Sequence, residues 1–114
     1  MTECGSRTYV LNTRPEADAV ELTGLFEDAN IPVINDPLIQ IEFLEGPMPD
    51  AASVSGLIFT SRNGVRAYVQ RSEFRGLNVY AVGDATARFA AEQGFACVQS
   101  AGGDVNSLIS LITR

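Results

Sequence analysis

Four short stretches combine hydroxyls, small residues and arginines in a way suited to holding an anion: Thr13-Arg14, Thr60-Ser61-Arg62-Asn63, Gly83-Asp84-Ala85-Thr86 and Gly102-Gly103-Asp104-Val105-Asn106-Ser107. Each stands just before a stretch of helical periodicity, where unpaired N–H groups and the helix dipole favour negative charge. Arg14 and Arg62 lie in such turns and Arg66 just beyond one, and a guanidinium fork meets a carboxylate or phosphate with two parallel hydrogen bonds. The chemistry indicated is the binding and orientation of an anion. Taken singly, Thr13, Thr60, Ser61, Asp84 and Asp104 are of types that cap helices, and capping is the ordinary purpose of each. Arg71, Arg75 and Arg88 fall late in a helix, in a loop or beyond a first helical turn, and read as solvated surface.

What the chain lacks narrows the chemistry further. There is no histidine, and all eight basic residues are arginine. Histidine triads, histidine zinc sites, Schiff-base lysines and a phosphate-loop lysine are thereby excluded. Hydroxyls, carboxylates, guanidinium groups and backbone amides remain. Fourteen acidic residues give a net charge of -6, so the overall field repels nucleic acid and anionic membranes. Cys4 and Cys97 lack metal-site or redox spacing and read as free thiols. No stretch resembles a signal peptide or a membrane span, and the expected compartment is the cytoplasm.

The elements that must position these turns alternate in type. At 114 residues and 46% hydrophobic, the chain has the size of one soluble globular domain. A strand from Thr8 to Asn12 runs into Thr13-Arg14-Pro15-Glu16, where Thr13 and Glu16 have capping-box spacing and proline suits a first helical turn. Leu22, Leu25, Phe26 and Ala29 mark the apolar face of the helix, Asn30 before Pro32 its stop, and Pro32 to Asn35 a buried strand. Leu38 to Leu44 is apolar with weak alternation, and Glu45 to Ser55 is the one linker-like segment. Three more βα units follow. Their strands are Gly56 to Phe59, Asn78 to Val82 and Phe95 to Val98. The helices between them turn Val65, Tyr68 and Val69 inward or end at Gly94, and the last carries Val105, Leu108, Ile109 and Ile112. The class is α/β: a flavodoxin-like, mainly parallel sheet of about five strands with helices on both faces, which binds ligands beyond the strand C-terminal ends. Gly83-Asp84-Ala85-Thr86 is no dinucleotide fingerprint. The missing lysine argues against a receiver domain, and flavin binding would have only Tyr68 near a turn.

Four blocks in series, Val10-Leu11-Asn12-Thr13-Arg14-Pro15-Glu16, Pro37-Leu38-Ile39-Gln40-Ile41, Leu57 to Ala67 and Tyr80 to Ala87, resemble the N-terminal part of bacterial uroporphyrinogen-III synthases. The resemblance implies two flavodoxin-like lobes. Residues 1–37 form the first βαβ unit, in lobe 1; residues 38–55 are crossover and linker; residues 56–114 begin lobe 2, which they leave incomplete. It implies a dehydrating cyclisation in which hydroxymethylbilane loses its hydroxyl, inverts its terminal ring through a spiro intermediate and closes as uroporphyrinogen III, without cofactor or metal. Thr60, Ser61 and Thr86 correspond to hydroxyls lining an interlobe cleft. Arg14 is the preferred carboxylate contact, Arg62 belongs to the same set, and Asn106 and Ser107 are weaker contacts at the last helix start. The tyrosine suspected as general acid in the family has no counterpart in Tyr9, Tyr68 or Tyr80. The expected partner is the tetrapyrrole substrate, with neither nucleic acid nor membrane involved. A half-length chain would have little activity alone and could complete its sheet by strand exchange in a dimer. The rival expectation is a non-enzymatic flavodoxin-like module that binds a small anion or a protein.

Overall fold

A computed structural model describes residues 9–113, and Cys4 and Thr8 lie outside them. The described elements are β1 (Val10–Asn12), α1 (Glu16–Asp28), β2 (Val33–Asn35), β3 (Gly56–Phe59), α2 (Arg62–Arg71), β4 (Asn78–Ala81), α3 (Asp84–Glu92), β5 (Val98–Ser100) and α4 (Val105–Ile112), with a 3-10 turn at Ala51–Ser53. All strand pairing is parallel, so the class is α/β as expected. The five strands nevertheless form two sheets, β1–β2 and β3–β4–β5, rather than one. Contacts divide the chain into Met1–Glu42 and Phe43–Arg114, where length alone points to a single domain. Residues 38–44 form no strand, and Leu38, Ile39, Ile41 and Leu44 are exposed.

In the first unit α1 supplies the crossover that parallel strands require, since no tight turn can join them. Val10 pairs with Val33, Leu11 with Ile34 and Asn12 with Asn35. Thr13 does not cap α1. The helix begins after Pro15, whose carbonyl accepts the amides of Asp18 and Ala19, and no side chain caps it. Thr13 instead continues the extended backbone, its carbonyl accepting from Leu38 N–H. The buried residues of α1 are Asp18 and Ala19, while Leu22 and Phe26 are half-buried and Leu25 and Ala29 exposed, so the expected apolar face is only partly used. Asn30 does stop the helix: it adopts φ 60°, its amide bonds to Glu27 and that of Ile31 to Phe26. This double bond pattern is a Schellman motif with asparagine in the left-handed position. The expectation that β2 is buried is not met, because a two-stranded sheet backed by one helix leaves its other face open, with Leu11 and Ile34 about half exposed.

In the second unit β4 is the central strand, Leu57 pairing with Val79 and Val79 with Val98. Helices α2 and α3 pack together and cover one face of this sheet. Helix α4 also packs against β4. The core lies under α2 and α3: Phe59, Val65, Tyr68, Val79, Ala90 and Phe95 form one buried cluster. Its three rings touch at centroid separations of 5.5–6.2 Å in tilted or edge-on arrangements, which suit aromatic quadrupoles. Phe95, expected to open the last strand, instead follows the α3 terminus: Gly94 turns at φ +102° and the Phe95 amide bonds back to Ala90. That turn aims the ring into the core. β5 accordingly starts only at Val98. On α4 Leu108 alone is buried, while Val105, Ile109 and Ile112 remain exposed.

Phe59→Ala removes the ring that both other aromatics touch. It is expected to cost about 3–5 kcal/mol, read as a fall in the urea midpoint of the second unit.

Candidate anion site at the strand ends

Parallel strands linked by right-handed helical crossovers all end on one rim, and each following helix begins there. In the second unit that rim gathers the starts of α2, α3 and α4. Thr60, Ser61 and Arg62 stand after β3, Thr86 in the first turn of α3, and Asn106 and Ser107 in the first turn of α4. These six are therefore on one rim. Arg14 follows β1 in the first unit.

The corner between β3 and α2 differs from the other two in how its helix start is capped. Ser61 occupies the N-cap position in extended conformation, but its hydroxyl makes no capping bond, and no acid stands in the first turn of α2. Ser61 therefore gives the start of α2 no side-chain cap, and no acid of the first turn offsets the helix dipole there. Thr60 and Ser61 are exposed, and Arg62 is half-buried. Arg66, one turn further on, donates to Asn63 Oδ1 at 2.7 Å and lies over the Phe89 ring at 5.1 Å, which holds it beside the corner.

The other two corners are internally tied. Gly83 is the N-cap of α3 and Asp84 its first residue; the Asp84 carboxylate accepts from the Ser100 hydroxyl, whose oxygen accepts Gly102 N–H. Gly103 N–H bonds to Val82 O, and both glycines have positive φ, +77° and +107°, so the turn is closed by conformations that glycine adopts freely. Asp104 caps α4, accepting from Asn106 N–H, and also accepts from the Ser107 hydroxyl. Of the residues expected to cap, Asp104 alone does so for a helix of the rim. The backbone amide of Asn106, expected as an anion contact, is already engaged. Thr86 is buried to 8% exposure, so it presents little surface to a ligand.

At Arg14 the arrangement is different. The side chain is exposed, and its guanidinium makes no hydrogen bond or ion pair with another described residue. Its backbone is held: Arg14 N–H donates to Asn12 Oδ1 at 3.2 Å, and Asn12 Nδ2 donates to Ala19 O at 3.3 Å. Asn12 is not among the residues singled out from the sequence, although an asparagine two positions before a turn residue is the spacing of an Asx turn.

Arg75 corrects its reading as solvated surface. It is half-buried between the Tyr68 and Phe95 rings, at 5.8 and 5.3 Å, and donates to the carbonyls of Gln93, Ser72 and Phe74. Tyr68 belongs to that same core, its hydroxyl bonded to Phe74 O, and is not a ring beside a ligand turn. A pocket of about 170 Å³, lined by Met48, Leu57, Tyr68, Phe74 and Leu77 among others, lies toward the strand starts, away from the rim. Cys97 is free and exposed. Among the described residues no helix is long and apolar enough to cross a membrane.

An α/β protein whose hydroxyl-, glycine- and arginine-bearing turns stand at the ends of parallel strands is the class these features define. The sequence matches the family described as Uroporphyrinogen-III synthase HemD over residues 20–114. That stretch is most of the chain, which belongs to the uroporphyrinogen-III synthase family. No curated protein matches it. Thr60, Ser61, Arg62, Thr86, Asn106 and Ser107 lie within the matched stretch, and Arg14 precedes it.

Ser100→Ala removes the link between Asp84 and the Gly102 amide. Amide exchange at Gly102 is expected to accelerate severalfold while that of Val79, bonded to Cys97 O inside the sheet, stays unchanged, as followed by NMR.

Proposed function

We propose that this chain serves the synthesis of uroporphyrinogen III by holding carboxylates of the linear tetrapyrrole hydroxymethylbilane. Family membership supports the reaction class, and the uncapped β3–α2 corner supports the manner of binding. In the proposed reaction the terminal hydroxyl leaves as water, the terminal ring is inverted through a spiro intermediate, and the ring carbons join to close the macrocycle. A flexible chain closing on itself faces chiefly an entropic barrier, so fixing its charged arms in one geometry contributes directly to rate. Guanidinium groups and helix amides can do this without histidine or lysine, and they need no reorganisation when the reacting cation forms.

In this reading Arg14 and Arg62 each hold a carboxylate, while Thr60 and Ser61 with the first amides of α2 orient another. Thr86, Asn106 and Ser107 shape the remainder of the rim, with less hydrogen-bonding capacity to spare because Thr86 is buried and Asp104 engages the other two. The observation that carries the reading is the corner itself: hydroxyls without a capping role, no acid in the first turn, and arginines at the first and fifth helical positions. The substrate class follows from the same chemistry, since a tetrapyrrole with a carboxylate on every arm offers several forks at once.

The reading is tested by titrating uroporphyrinogen III, kept reduced, and inorganic phosphate against the chain. The tetrapyrrole is expected to bind far more tightly than phosphate, and affinity is expected to fall with added salt. Arg62→Ala is expected to weaken it about tenfold, the scale of one charge-assisted hydrogen bond. Equal binding of both ligands, or an Arg62→Ala variant that binds as the parent does, would overturn the proposal.

A further inference from the structure

We propose that Asn12 is a positioning residue for Arg14: by accepting the Arg14 amide in the β1–α1 turn, it aims a guanidinium that no described residue engages at a substrate carboxylate. The inference rests on the reading above, in which Arg14 holds such a carboxylate.

Asn12 is 4% exposed, although asparagine is ordinarily a surface residue. Burying an amide costs free energy unless its donor and acceptor are both used, and here both are. Nδ2 donates to the carbonyl of Ala19 in α1, and Oδ1 accepts the amide of Arg14 two residues on. The first bond ties the turn to the helix and the second closes an Asx turn around Thr13. Beyond Arg14 stands Pro15, whose ring disfavours the helical conformation for the residue before it. The Pro15 carbonyl is fixed in turn by the Asp18 and Ala19 amides. The strand side is held as well, with Asn12 O accepting from Asp36 N–H and Thr13 O from Leu38 N–H.

The contrast with other arginines sharpens the point. Arg66, Arg71 and Arg75 spend their guanidinium groups on Asn63, on Pro47 and on a set of carbonyls respectively. Arg14 has a fixed backbone and a guanidinium that no described residue engages. A held base with a free head is preorganised for an incoming anion, because the backbone entropy of the turn is already lost before binding.

Two substitutions separate positioning from simple support. Serine at position 12 can still accept the Arg14 amide in an ST turn, but its shorter side chain cannot reach Ala19 O. Alanine loses both bonds. Uroporphyrinogen III affinity is measured for the parent, Asn12→Ala, Asn12→Ser, Arg14→Ala and the Asn12→Ala/Arg14→Ala pair, with urea midpoints recorded for each. Asn12→Ala is expected to weaken binding about fivefold, the scale of one modest hydrogen bond, and Asn12→Ser to restore it to within about twofold of the parent. In the Arg14→Ala background Asn12→Ala is expected to cost nothing further, since neighbours acting through one group are not additive. If Arg14→Ala binds normally, the carboxylate role of Arg14 fails and the inference with it. If Arg14→Ala binds weakly while Asn12→Ala binds as the parent, serine is as poor as alanine, or the two losses add, the positioning role alone is overturned.

Discussion

The hydrogen-bond pattern of parallel strands governs this molecule. Neighbouring strands pointing the same way cannot be joined by a hairpin, so each connection must cross back, and here helices do so. The consequence is geometric before it is chemical. Strand ends and helix starts accumulate on one rim of each sheet, and turn residues far apart in sequence become neighbours. Thr60 and Asn106 share a rim of the β3–β4–β5 sheet for this reason, with no contact between them required. The same pattern makes Asn12 and Asn35 register partners at the corresponding end of the β1–β2 pair.

Within that geometry the corners have been differentiated by charge. Asp84 and Asp104 neutralise the starts of α3 and α4 and spend themselves on Ser100, Asn106 and Ser107. The first turn of α2 carries no acid, Ser61 makes no capping bond there, and arginines stand at its first and fifth positions. In the proposed reading an acidic chain of net charge -6 thereby keeps a local place for a substrate carboxylate. Long-range repulsion from the remaining carboxylates is screened within roughly 10 Å at ordinary salt, whereas contacts at the corner are not.

Much of this was legible in the sequence because its signals are local. Short apolar strands, periodic helices and the stops at Asn30 and Gly94 each rest on a few neighbouring residues, and their left-handed turns follow from residue type. The rim was legible too, once parallel order was inferred. Other features depend on partners distant along the chain, and periodicity does not encode those. Arg75 looks like a loop cation until Gln93 and Phe95 arrive beside it. The partition into two sheets depends on pairing between strands, which alternation over four or five residues cannot specify. Phe95 carries an ambiguous signal, because an apolar residue after a glycine fits both a strand start and the hydrophobic contact that follows a Schellman turn. Thr13 and Glu16 had the right spacing for a capping box, but Pro15 took the cap position and the carbonyl of Thr13 went to the strand side.

The seat of Arg75 has a consequence for which cation can join the ends of two helices in the second unit. Carbonyl oxygens of Ser72, Phe74 and Gln93 and the flat sides of two rings take the place of much of the water around this cation. A guanidinium carries its N–H donors in one plane, so it can serve these carbonyls while lying flat beside the rings. The clasp between the end of α2 and the end of α3 thus depends on the shape of the cation as well as its charge, and a lysine, lacking the planar fork, could not have been seated in its stead.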